Sequence, residues 1–155
     1  MSETVRKEKE LITTRVFEAP RELVFDAWMD PEHLTNWFGP EGFTITTKRW
    51  SAQPGGEWEF TMHDPDGTDY ANLIRFIKID RPELIEYLQM EDESTKDDAF
   101  HVVVSFSEVN GKTKLVMHMR FRDKEYLDHV INEYGALEGQ KQTFDRLTEY
   151  LLTLQ

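Results

Sequence analysis

The chain has 155 residues, with thirty Asp and Glu against eighteen Lys and Arg, and it contains no cysteine. A chain of this length can bury a core of its own, and disulfides, thiolate metal sites, iron–sulfur clusters and cysteine nucleophiles are excluded. The net charge of −12 repels phosphate backbones and anionic headgroups, so neither nucleic acid nor a membrane surface is expected as a partner, and an aromatic content of 12% is too high for a disordered acidic chain.

Met1–Glu10 carries Val5 as its one large apolar residue after Met1, so it reads as a flexible, solvated N-terminal arm and not as a secretory segment. No later run approaches the roughly 18 apolar residues of a membrane span, and a cytoplasmic location is expected. Residues 11–155 read as a single domain. Leu11–Glu18 is rich in β-branched residues and stops at Ala19-Pro20, which predicts a first strand. Pro20 suits the first turn of a helix whose apolar side is Leu23, Val24, Ala27 and Trp28. Asp30-Pro31 restarts a short helix over Pro31–Phe38, with Asp as cap and Pro at the first position, and Gly39-Pro40 ends it.

From Phe43 the apolar period changes to two. The sequence Asp64-Pro65-Asp66-Gly67 predicts a hairpin that pairs Asp64 with Thr68, Met62 with Tyr70, Phe60 with Asn72, Trp58 with Ile74 and Glu57 with Arg75. Trp58, Phe60, Met62, Tyr70, Ile74 and Phe76 then share one face, with Asn72 its polar exception. Glu83–Glu91 reads as the next strand. Asn110-Gly111 predicts a two-residue turn that sets Phe106 opposite Leu115, Val104 opposite Met117, Val102 opposite Met119 and Phe100 opposite Phe121. The other face of this hairpin carries His101, Ser105, Lys114, His118 and Arg120, a solvent face. Leu127, Val130, Ile131 and Tyr134 form a short amphipathic piece that ends at Gly135. After Gly139, the spacing of Phe144, Leu147, Leu151 and Leu154 predicts a long helix over Gln140–Leu154.

The fold class is α+β: a curved antiparallel sheet of roughly six to seven strands wrapped around a long C-terminal helix, with two short helices after the first strand. One helix about 10 Å wide cannot cover so many strands at about 4.8 Å each, so the short helices must plug the open side. The remaining space is either an apolar cavity with a few polar groups or is filled by Trp, Phe and Met side chains.

Trp37-Phe38-Gly39-Pro40 after a capped helix, Pro54-Gly55-Gly56-Glu57-Trp58, Gly67 in its hairpin, Pro82-Glu83-Leu84-Ile85 before a strand and Glu138-Gly139 at the last helix occur in a telling order. In that order they resemble the activator of heat-shock protein 90 ATPase homologue-like family, over about Leu11 to Leu154. The resemblance implies the helix-grip fold, shared with START, birch-pollen-allergen-like, lipid-transfer and polyketide-cyclase-like domains. Ser51, Gln53 and Gln140 depart from the family's pattern, Gln140 standing where many relatives carry Trp.

The residues offer no catalytic constellation. No His-x-x-x-His or Glu-x-x-His spacing occurs, Asp64, Asp66 and Asp69 lack the glycine position of a calcium loop, and there is no nucleophile elbow, phosphate loop or dinucleotide fingerprint. Gly55-Gly56 reads as a bulge or a close approach of backbones. No catalytic residue, metal ligand or cofactor is therefore nominated. The candidate cavity residues are Trp37, Phe38, Trp58, Phe60, Tyr70, Asn72, Phe76, Tyr87, Gln89, Val104, Met117, Met119 and Phe144. Trp37 and Phe38 can staple the short helix, form a lid, or do both. Asn72, Tyr70, Tyr87 and Gln89 can pair with one another, with water or with a ligand. The first functional reading is a carrier or sensor of a small hydrophobic or partly aromatic ligand. The alternatives are a cochaperone-like protein-interaction domain, which the resemblance implies, and a cyclase-like enzyme.

Overall fold

The computed structural model describes residues 2–155. The turns set the sheet. Asn110, at φ 53°, and Gly111, at φ 78°, make the two-residue turn between β7 (Phe100–Val109) and β8 (Lys112–Arg120). Phe106 faces Leu115, Val104 faces Met117 and Val102 faces Met119, the register that the turn predicts. Between β4 (Glu57–His63) and β5 (Asp69–Asp80) the pairs are likewise Met62 with Tyr70, Phe60 with Asn72, Trp58 with Ile74 and Glu57 with Arg75.

With β1 (Ser2–Lys7), β2 (Glu10–Phe17), β3 (Thr44–Trp50) and β6 (Leu84–Met90), these form one eight-stranded antiparallel sheet in the order β1-β2-β8-β7-β6-β5-β4-β3. The sheet has more strands than the sequence predicts because residues 2–7 are a strand and not an arm. Thr4 lies opposite Thr13, with their hydroxyl oxygens 3.2 Å apart, and Val5 lies opposite Ile12. An edge strand is held by its backbone ladder on one side and can be polar on both faces, so it leaves no hydrophobic period to read. Register shifts at Thr47/Arg49 and Phe76/Lys78 mark bulges, which bend and twist a sheet locally.

The helices α1 (Arg21–Trp28) and α2 (Pro31–Leu34) connect β2 to β3 on the concave side. Asp30 caps α2 by accepting from the Glu32 amide at 2.9 Å, but α2 ends at Leu34 and the chain turns through Trp37 and Phe38. Helix α3 (Lys124–Tyr134) buries only Leu127, against Leu11 and Phe121. Helix α4 (Ala136–Thr153) begins immediately after Gly135, four residues earlier than predicted. Gly139 therefore lies inside it, where a Cβ would come within 3.3 Å of Pro40. Phe144, Leu147 and Leu151 of α4 are buried against the sheet, the stripe that the helical spacing marks.

The convex face carries ions. Glu57 accepts from Arg75 at 2.6 Å and from Arg49 at 2.9 Å, and Arg75 also pairs with Glu93. These guanidiniums, Arg75 first, hold the Glu57 carboxyl below its ordinary value of 4.5. A carboxylate depressed on folding adds stability above its unfolded value and loses it as the pH falls through the folded one. Glu57→Gln is expected to be less stable than the parent at pH 7, with the gap closing below about pH 4 in urea melts. A gap independent of pH contradicts the pairing. Asn110→Ala should cost about 1 kcal/mol in the same assay, because alanine resists a positive φ. Unchanged stability would mean that the turn does not constrain the register.

Candidate functional site

The concave side between α1, α2 and strands β4 to β6 is filled by aromatic rings. Trp28, the last residue of α1, lies 4.9 Å from Trp37, edge to face. Trp37 is fully buried and donates its indole N–H to the Ala27 carbonyl at 3.1 Å. Phe38 follows and stands edge-on to Trp58 at 5.3 Å, Phe60 at 5.9 Å and Trp28 at 6.2 Å. Trp58 stacks on Phe60 at 3.8 Å and donates to the Thr47 hydroxyl at 3.1 Å. Edge-to-face pairs of this kind add about 0.5–1.5 kcal/mol each beyond their buried area.

The loop that carries Phe38 is tied to α4. Arg146 Nη1 donates to the carbonyls of Gly39 at 2.9 Å and Pro40 at 3.0 Å, and the Gln142 side chain accepts from the Glu41 amide at 3.1 Å. Burial pushes the Arg146 guanidinium below its usual value, partly opposed by the charge of Glu41. Gly39 sits at φ 106°, and a Cβ there would fall 2.6 Å from Met62 Cε. The positive φ of the turn calls for glycine there, whereas the Met62 methyl is the end of a flexible side chain and can move aside.

Beneath Phe38 the rings leave a gap of about 10 Å³, lined by Trp28, Met29, Phe38, Trp58, Tyr87 and neighbouring aliphatic side chains. That is about the size of one water. The buried indole N–H of Trp28 has no hydrogen-bond partner among the described residues. Tyr87 is 3% exposed, and burial alone drives its phenol well above the usual value. Trp28 and Tyr87 both line this otherwise apolar gap.

Of the residues nominated from sequence, the gap brings together Phe38, Trp58, Phe76 and Tyr87. Trp37 and Phe60 stand behind them as supports. Val104 and Met117 are buried in the core, whereas Met119 is partly buried and packs against it. Phe144 lies under α4 and does not reach the gap. Tyr70 turns away from the interior, 40% exposed and against Phe43 at 6.3 Å, because the β4–β5 hairpin runs past the helices. Asn72 is half-buried and accepts from the Gln89 amide at 3.2 Å, so these two polar residues satisfy each other. Of the two outcomes that the sequence leaves open, a cavity or a space filled by side chains, the region beneath Phe38 is largely filled. Trp28, Met29, Leu34, Ile74 and Ile85 also line the gap. For Ile74 the signal was its pairing with Trp58, but for Trp28 only the three-dimensional placing of α1 supplies it. Among the described residues no group of three or more His, Asp or Glu could hold a metal ion, and no helix is long and apolar enough to cross a membrane.

A sheet that wraps one long C-terminal helix, with two short helices on its open side, defines the helix-grip class. Solved structures share it. A solution structure from Arthrobacter aurescens is 22% identical, covering 97% of this chain and 91% of its own, with a TM-score of 0.88. A crystal structure from Mycobacterium smegmatis is 24% identical, covering 99% and 98%, with a TM-score of 0.87. A solution structure from Staphylococcus epidermidis is 26% identical, covering 98% and 94%, with a TM-score of 0.84. The chain belongs to the family described as Activator of Hsp90 ATPase homolog 1-like protein, whose model matches residues 18–152. No functionally curated protein matches it in sequence.

The Asn72–Gln89 bond gives a prediction. Asn72→Leu leaves the Gln89 amide without its partner and is expected to cost about 1 kcal/mol in urea unfolding. A neutral or stabilising effect would show that the two amides do not support each other.

Proposed function

We propose that this protein binds a small apolar molecule, carrying one ring and one hydrogen-bond acceptor, in the gap beneath Phe38. The observation that carries this reading is the Trp28 indole N–H, buried without a partner among the described residues, beside the Tyr87 side chain in a lining that is otherwise apolar. A buried donor without a partner costs about 1–3 kcal/mol, and a ligand acceptor recovers that cost. Phe38 and Met29 are the half-buried members of the lining, so they are the side chains that can swing outward to admit a ring. The mouth of the site is a lid loop held by Arg146, and a carrier or sensor that opens by lid displacement suits that arrangement. The belonging of the chain to a helix-grip family agrees with a ligand held between helices and sheet.

Ligand-observed NMR titration with acetophenone and with ethylbenzene, its isostere without the acceptor, tests this. The ketone should bind about tenfold more tightly, the worth of one hydrogen bond, and Tyr87→Phe should remove most of that preference. Native mass spectrometry of freshly purified protein should also show a co-purifying hydrophobic molecule. Equal affinity for the two compounds, or binding of neither at millimolar concentration, contradicts the proposal.

A further inference from the structure

Unpartnered polar atoms recur at a second place, on the opposite flank of α4. Strand β1 sets Ser2 opposite Arg15 of β2, and both the Ser2 hydroxyl and one guanidinium nitrogen of Arg15 are buried without a hydrogen-bond partner among the described residues. Between these strands and the first turns of α4 lies a groove of about 250 Å³.

The two sides of the groove differ in chemistry. One carries the hydroxyls of Ser2, Thr4 and Thr13 together with the Gln140 amide. Thr13 is 1% exposed and donates to Gln140 Oε1 at 2.6 Å, which fixes the orientation of that amide. Gln140 Nε2 is left with the sulfurs of Met117 and Met119, each at 3.3 Å, and a thioether is a weak acceptor. The other side is apolar: the buried Phe144 and Leu137, which is 41% exposed. Charge discourages an ionic guest. The Lys141 ammonium at the rim is already engaged by Asp145 at 3.1 Å, Arg15 pairs with the same carboxylate, and Glu138 completes the rim. An anion would meet Glu138 and the net charge of −12, and a cation would meet Lys141.

We propose that this groove is a second ligand site, for a small uncharged ring compound with hydroxyl or amide groups along one edge. The polar edge meets Thr4 and the Gln140 amide, which the buried Thr13 orients, and the ring lies on Leu137 above the buried Phe144. The site is separate from the gap beneath Phe38, with which it shares no lining residue, and it stands or falls independently of that reading.

The test is amide NMR of the full-length ¹⁵N-labelled protein with 4-hydroxybenzamide as probe and toluene as the control without polar groups. 4-Hydroxybenzamide should shift the amides of Thr4, Thr13, Leu137, Gln140 and Lys141, and toluene should bind there about tenfold more weakly, the loss of one good hydrogen bond. Gln140→Trp, which places an indole in the groove, should abolish these shifts. Thr4→Val, at an exposed position that preserves strand propensity, should weaken the probe several-fold and keeps the test decisive if Gln140→Trp misfolds. No shifts at millimolar probe, equal binding of toluene, an affinity unchanged by Thr4→Val, or shifts confined to Trp28, Phe38 and Tyr87 would overturn the proposal. The last result would assign the probe to the inner gap.

Discussion

One long helix must close the concave face of eight strands, and most of the interior follows from that constraint. A helix about 10 Å wide covers only about two strands at about 4.8 Å spacing. The rest of the face is closed by α1, α2 and the loop after them, with large rings in place of more backbone. Trp28, Trp37, Phe38 and Trp58 bridge the distance that aliphatic side chains could not. The loop is fixed in turn by Arg146, which spends its donors on backbone carbonyls instead of a carboxylate. Helix α4 and the loop are thereby tied to each other.

Filling space with indoles brings a polar obligation, since every indole N–H needs an acceptor when buried. Trp37 and Trp58 meet it through the Ala27 carbonyl and the Thr47 hydroxyl. Trp28 does not, and it lines the gap together with Tyr87. The polar groups farther along the sheet are treated differently: Asn72 and Gln89 bond to each other.

Turn chemistry made both long hairpins legible, because a pleat has period two and one turn fixes which residues oppose each other. Glu57 opposite Arg75 and Val104 opposite Met117 followed directly. The N-terminal strand was not legible, since the polar Ser2–Lys7 is held by backbone hydrogen bonds that leave no side-chain pattern. The inner site was legible in part. Alternation points Trp58, Phe76 and Tyr87 inward, but it also points Tyr70 inward and cannot show where the helices stop covering the sheet. Trp28 enters the site through the docking angle of α1, a tertiary property that no local period encodes.

The claim on which the account rests is that the Trp28 indole N–H is a buried donor awaiting an acceptor. It can be read directly from the ¹H–¹⁵N resonances of the four tryptophan indoles, with and without acetophenone. The account predicts that the Trp28 indole proton moves downfield and exchanges more slowly with solvent, while those of Trp37 and Trp58, already bonded, shift far less. A Trp28 resonance that does not move as acetophenone saturates the protein would contradict it.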